Sequence, residues 1–111
     1  MNNFTKFKKE FTKWQNKFGL NNYIVCFEKG DADEMDAYAD IIINQPQMRA
    51  IVRFSNDKID GQYLTPEEAG KHEAIHLLLG RMSVNGKSRY VSYDDYYEAE
   101  EELVNRLYKL L

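Results

Sequence analysis

Aromatic residues recur at helical spacing over the first eighteen residues of the chain, with lysines and other polar residues between them. These apolar positions are Phe4, Phe7, Phe11, Trp14 and Phe18. A stripe of this period predicts an amphipathic helix with one buried face, and Gly19 is a residue type that commonly ends a helix. We therefore predict an N-terminal helix whose aromatic stripe belongs to the hydrophobic core.

Three short runs rich in β-branched and aromatic residues follow, at positions 23–28, 37–44 and 49–54. An acidic loop at 30–36 separates the first run from the second, and a turn around 45–47 joins the second to the third. Such runs and connections predict a meander of three strands, mainly antiparallel, with helices packed on one face.

A strong helix start follows the strands. Thr65 can cap the helix, Pro66 suits its first position, and Glu68 completes a capping box. This helix is predicted to end near residues 80–82, and its apolar second half predicts a buried central position. A last helix is predicted from residue 92 to the C-terminus. The sequence thus predicts a single α+β domain over residues 1–111.

Composition and charge limit the classes of protein that fit. With 43% hydrophobic and 30% charged residues, the chain is typical of a folded globular protein rather than a disordered one. The net charge of −3 argues against a nucleic-acid partner. Five lysines in the first seventeen residues could contact phosphate, but a solvated helix face is the simpler interpretation.

The single cysteine and the hydropathy of the chain bear on its location. Cys26 excludes an internal disulfide, fits a reducing compartment, and is predicted to be a buried strand residue. No early apolar run resembles a signal peptide, and none reaches the ~18 residues that a membrane span needs. We expect a cytoplasmic protein without a membrane partner.

Residues 72–76 read His-Glu-Ala-Ile-His, an HExxH motif on the central helix. Residues four apart on a helix share a face and lie ~6 Å apart along the axis, so His72 and His76 can bind one Zn²⁺ together. Glu73 points to the flank, where it can act on water as the general base. These are the only histidines of the chain, and an unpaired imidazole is costly to bury. The alternative is a pair of surface histidines beside a solvated glutamate.

A catalytic zinc site usually has three protein ligands and an open position. With no third histidine, the remaining ligand should be a carboxylate of the last helix. Helical phase places Glu101 on the apolar face of that helix, so we predict it as the ligand, with Glu100 as second choice. Asn105, one turn later, is predicted to hydrogen-bond the outer nitrogen of a liganding histidine. Glu98 and Glu102 are predicted to be solvated.

The run HEAIHLLLG at residues 72–80, followed by EAEEELVNRL at 98–107, resembles the gluzincins, in which a glutamate on a following helix completes the zinc site. The spacing from Glu101 to Asn105 is similar to the ExxxD or ExxxN pattern of that group. The whole chain resembles minimal gluzincins, including small bacteriophage-encoded proteins grouped as SprT-like, and HEAIHLLLG also resembles the ImmA/IrrE peptidases, which cleave repressor proteins. The chain departs from the SprT-like pattern because it lacks a third histidine.

The resemblance implies a zinc metallopeptidase with one Zn²⁺ per chain and a protein or peptide substrate, located in the host cytoplasm if phage-encoded. Many zincins stabilise the oxyanion with a tyrosine or histidine, so Tyr90 and Tyr93 are the candidates here. Zincins usually add an extended substrate to the exposed edge of the sheet. We expect strand 49–54 to be that edge, because it is nearest in sequence to the motif.

Two other hypotheses stay open. The first is a zinc-stabilised protein-binding module or inactive protease homologue, such as a phage factor that grips a host protein, because a short chain has little material for a substrate cleft. The second is a nucleic-acid-associated protein that uses its lysine-rich first helix. The intact Glu73 favours the enzyme, since a structural zinc site has no use for a base. The sequence does not indicate the oligomeric state.

Overall fold

A computed structural model of the protein describes residues 2–30, 38–55, 64–80, 83 and 92–111. The elements in chain order are helix α1 (Asn3–Lys17), strands β1 (Ile24–Lys29), β2 (Ala39–Asn44) and β3 (Arg49–Phe54), and helices α2 (Pro66–Leu78) and α3 (Tyr93–Leu110). The predicted α+β class and the predicted order of helices and strands are confirmed. The predicted start of the second strand at residue 37 lies outside the described residues.

The three strands form one sheet in the order β1-β3-β2. β1 pairs in parallel with β3, whereas β2 pairs with β3 in the antiparallel sense. The predicted meander is therefore wrong, because the last strand lies in the middle and the sheet is mixed. The inward side chains of β3 explain its place. Ala50, Val52 and Phe54 are all buried, and no inward residue of β1 or β2 is buried as completely. The strand whose inward residues are most completely buried therefore lies in the middle, where a neighbour protects it on each side.

Helix α1 covers one face of the sheet through its aromatic stripe, as predicted. The ring of Phe7 stacks on that of Phe54 with centroids 4.7 Å apart, and Phe11 meets Phe27 edge-on at 5.4 Å. Such aromatic pairs bury large apolar areas and add specific ring contacts. Since alternate residues of a strand point to opposite faces, Cys26 points away from α1. It is exposed, so its predicted burial is wrong.

Helix α2 packs against α1 and contacts strand β2 of the sheet. Its N-terminus has the predicted capping box, in which Thr65 Oγ1 accepts a hydrogen bond from the Glu68 backbone and the Glu68 side chain accepts one from the Thr65 backbone. Gly70 lets the two helices approach closely, because a Cβ atom there would lie 2.6 Å from the carbonyl oxygen of Phe7. Close packing of this kind fixes the position of the helix that carries the HExxH motif.

Helix α3 lies against α2 and buries Val104 completely. None of the helices in the described ranges combines the length and the apolar character that a membrane span requires. The two helices that carry the predicted ligands are thus neighbours.

Candidate metal centre

The structure brings His72, His76 and Glu101 together between α2 and α3. One ligand atom from each side chain lies within 4.8 Å of those of the other two. Glu101 Oε1 lies 3.0 Å from His76 Nε2, and Glu101 Oε2 lies 3.7 Å from His72 Nε2. The two imidazole rings have centroids 5.0 Å apart. The i,i+4 spacing places both histidines on one side of α2, and Glu101 lies on the side of α3 that faces them. Together the three side chains form a group that could hold a metal ion.

The donors suit a metal ion in number and type, and they lie close to one another. Two imidazole nitrogens and one carboxylate form a set that first-row transition ions accept. Ligand atoms bonded at about 2.0–2.2 Å around a tetrahedral ion lie roughly 3.3 Å from one another. Glu101 reaches the two rings through different oxygens, at 3.0 Å from His76 and 3.7 Å from His72, so the three side chains would have to adjust for one ion to contact all of them.

Glu100 lies on the other side of the His76 ring from Glu101. Its Oε1 is 3.2 Å from His76 Nδ1, and its Oε2 accepts a hydrogen bond of 3.0 Å from the hydroxyl of Tyr96. Asn105, which was expected in this outer position, is exposed, and within the described residues it hydrogen-bonds neither histidine. Glu100 occupies that place instead. The i,i+4 spacing of Tyr96 and Glu100 is the sequence signal that could have indicated it.

Glu73 is buried beside this group, with 5% of its surface exposed. Burial raises the pKa of its carboxyl to about 7, against the attraction of His76, and the charges of Glu101 and Asp40 act in the same direction as burial. Glu73 does not belong to the three-residue ligand group, as its place on the flank of the motif predicts. A carboxyl that titrates near neutrality is suited to accept and return a proton.

The two histidines have opposite electrostatic environments. Burial and the charge of His76 lower the pKa of His72. Burial also opposes protonation of His76, but hydrogen bonds to Glu100 and Glu101 outweigh it and raise the pKa of His76 to about 10. The hydrogen bond from His76 lowers the pKa of Glu101. Without a metal ion, a protonated His76 thus lies between two carboxylates at neutral pH.

A second set of contacts fastens α3 to the N-terminal half of α2. The hydroxyl of Tyr108 donates a hydrogen bond of 2.6 Å to Glu68 Oε2. The ammonium group of Lys71 lies 4.6 Å from the ring of Trp14 and 5.1 Å from that of Tyr108. The Tyr108 ring is 6.4 Å from that of His72. These contacts fix the distance between the two helices that supply the ligands.

Tyr90 and Tyr93 were predicted as candidates to stabilise the oxyanion, and the structure describes only the second of them. Tyr90 lies outside the described residues. Tyr93 is 65% exposed, and its ring stacks on that of Tyr97 at 6.1 Å. Tyr97 lies one turn before Glu101. Burial and the negative charge of Glu101 raise the pKa of Tyr97, which places this phenol in the field of the acidic site.

Strand β2 lies next to the site. Its Asp40 contributes to the raised pKa of Glu73, and the side chain of Ile43 lies against Gly80 just after α2. Strand β3 was expected to be the edge that receives a substrate, but it has β1 on one side and β2 on the other. That expectation is wrong, because both sides of the β3 backbone are already paired. Among the described strands, β2 is the edge nearest to the motif.

A comparison of the chain with protein families, with curated proteins and with solved structures finds no match. The resemblance to gluzincins therefore rests on the motif and on the arrangement of its donors alone.

Proposed function

We propose that the protein is a zinc-dependent metallopeptidase in which His72, His76 and Glu101 hold one Zn²⁺ and Glu73 is the general base. The observation that carries the proposal is the meeting of two imidazoles and one carboxylate from two helices, within 4.8 Å, beside the buried Glu73. Structural zinc sites usually close with four protein ligands, whereas catalytic sites use three and leave one position open. Within the part of the chain that the structure describes, three donors with an adjacent base favour the catalytic class.

A zinc ion in this site would supply Lewis-acid chemistry, polarising a carbonyl oxygen and lowering the pKa of water toward about 7. The side chain of Glu73 accepts the proton of the attacking water and passes it to the leaving amine. Its pKa of about 7 in the metal-free protein suits both transfers, because a base poised near the working pH can take and return a proton.

The edge of β2 offers a place for an extended peptide. An added strand would hydrogen-bond to the β2 backbone, and side-chain pockets would then set specificity. Strand β2 also contacts α2, so a peptide paired with its free edge would lie near the helix that carries Glu73. Tyr97 at the start of α3 is the phenol that could stabilise the oxyanion, because it is half exposed and lies in the field of Glu101.

A second candidate function is a zinc-stabilised protein-binding module or an inactive homologue of a protease. The burial of Glu73 favours it, because a base that is 5% exposed has limited access to a substrate. In this case the same three ligands would tie α3 to α2, and the β2 edge would hold a partner without cleaving it.

The test compares wild type with Glu73→Gln, with Glu98→Gln as the control because Glu98 is an exposed glutamate of α3. We expect about one zinc per chain in all three proteins, and none after both His72 and His76 are changed to Ala. Hydrolysis of an unfolded protein and of a peptide library should fall by roughly 10²–10⁴-fold in Glu73→Gln only. Zinc retained in the double histidine variant would refute the metal site. Zinc binding and partner capture without cleavage would establish the binding module.

A further inference from the structure

We infer that Glu100 is a positioning residue, which fixes the orientation and the protonated nitrogen of His76 and is itself held by Tyr96. The inference rests on the proposed metal site. It concerns Glu100, which is not one of the three ligands and which the sequence offered only as an alternative to Glu101.

The geometry gives the two oxygens of Glu100 different partners. Oε1 lies 3.2 Å from His76 Nδ1, and Oε2 accepts the 3.0 Å hydrogen bond from Tyr96. The Glu100 side chain is only 15% exposed, so water competes weakly for these contacts. A carboxylate held at both oxygens cannot rotate freely, which makes it a fixed acceptor for the imidazole.

Neighbouring residues of α3 hold opposite nitrogens of one ring. Glu101 faces Nε2 at 3.0 Å while Glu100 faces Nδ1 at 3.2 Å. Consecutive residues on a helix point about 100° apart, so two adjacent carboxylates can flank a ring that inserts between them. Glu100 is therefore directed away from the position that His72, His76 and Glu101 share, and it does not compete with Glu101 as a ligand.

The chemical consequence concerns which nitrogen of His76 carries a proton. A neutral imidazole has one N–H donor and one lone pair, and the hydrogen bond at one nitrogen decides which nitrogen is free for a metal ion. With Glu100 as acceptor, the proton stays on Nδ1 and the lone pair of Nε2 points toward Glu101. Such a partner also makes the imidazole a stronger ligand.

His72 lacks this arrangement among the described residues, where Glu101 is the only carboxylate within ion-pair distance of its ring. Its ring instead meets His76 at 5.0 Å and Tyr108 at 6.4 Å. His76 is thus oriented by a charged acceptor and His72 by ring packing. Loss of Glu100 should therefore act directly on His76, and on His72 only through its contact with His76.

The experiment measures zinc affinity by competition with a chromophoric chelator, together with the ¹⁵N NMR signals of the His76 ring in the zinc-loaded full chain. We expect Glu100→Ala to weaken zinc binding by roughly 10–100-fold. Glu100→Gln should restore most of that loss, because its amide oxygen still accepts a hydrogen bond from Nδ1. Tyr96→Phe should cause a smaller loss, and the exposed Glu98→Gln is the control that should change nothing.

The NMR signals separate positioning from mere support of the fold. In wild type the His76 signals should report a protonated Nδ1 and a metal-bound Nε2, and Glu100→Ala should mix the two tautomers while His72 keeps its pattern. Unchanged affinity and unchanged His76 signals in Glu100→Ala would overturn the inference but leave the metal site intact. Absence of zinc in wild type would instead refute the proposed function as well. If Glu100→Ala does not fold, Tyr96→Phe decides, and unchanged affinity and His76 signals there refute the inference.

Discussion

Gly70 of α2 lies so close to Phe7 of α1 that a Cβ atom at position 70 would stand 2.6 Å from the Phe7 carbonyl oxygen. We predict that Gly70→Ala lowers the free energy of unfolding by about 1–3 kcal/mol, the usual cost of overpacking. This holds although Ala is the better helix former by about 1 kcal/mol, because the obstructing atom belongs to a backbone that cannot rotate away. Urea denaturation of both proteins measures the difference.

Gly80→Ala is the matched comparison for this substitution. A Cβ atom at position 80 would meet Ile43 Cδ1 at 2.8 Å, which is the end of a flexible side chain rather than backbone. Ile43 can adopt another rotamer, so the loss should be smaller than at position 70. Equal losses at both positions would contradict the explanation by backbone contact.

Glu101→Gln is predicted to weaken zinc binding by at least the roughly 10–100-fold that supporting residues contribute, because it removes a charged ligand. Glu102→Gln, at the next and exposed position of α3, should leave the affinity within twofold, on the order of exposed surface substitutions. Chelator competition at constant pH and salt measures both. A larger effect at position 102 than at position 101 would show that the Glu101 side chain does not face the metal site.

Zinc binding is predicted to release at least one proton at pH 7.5. Hydrogen bonds to Glu100 and Glu101 raise the pKa of His76 to about 10, so this side chain is protonated in the metal-free protein and must lose its proton to bind a metal ion. The affinity should therefore rise with pH, by about tenfold per unit while His76 stays protonated. Calorimetry in two buffers of different ionisation enthalpy counts the protons. Equal heats in both buffers would contradict the protonated state.

Tyr108→Phe tests the connection between the two ligand-bearing helices. It removes the 2.6 Å hydrogen bond to Glu68, and at this partly exposed site the lost bond should lower the free energy of unfolding by roughly 1 kcal/mol. Zinc affinity should fall at the same time, because α3 is then less firmly held against α2. Tyr93→Phe is the control, since the Tyr93 side chain is largely exposed. If Tyr108→Phe and Tyr93→Phe melt at the same temperature, the connection contributes nothing.

The sequence predicted those features that depend on local periodicity. The aromatic stripe of α1, the capping box at Thr65 and Glu68, and the meeting of His72 with His76 all follow from the geometry of a single helix. Glu101 could be selected in the same way, because it shares a face of α3 with apolar residues such as Val104, which is completely buried.

The features that were missed depend on how elements meet. Alternation along a strand indicates which residues share a face, but it does not tell which strand lies in the middle of a sheet. The same limit explains why Cys26 was wrongly predicted to be buried. Its apolar neighbours Val25 and Phe27 point to the opposite face of the sheet. The choice of Glu100 over Asn105 depends on the direction from which α3 approaches the His76 ring, which is a property of helix packing.

The mixed sheet has a consequence for the order in which the chain folds. β2 and β3 are joined by a turn closed by the hydrogen bond from Met48 to Gln45, so their hairpin is local and can form within microseconds. Ile24 of β1, in contrast, pairs with Arg49, which is 49 − 24 = 25 positions away, and closing such a loop costs more entropy. We therefore expect the β2–β3 hairpin to form first and β1 to pair afterwards with the free edge of β3. A substitution that weakens the turn should slow folding, whereas one confined to β1 should mainly speed unfolding.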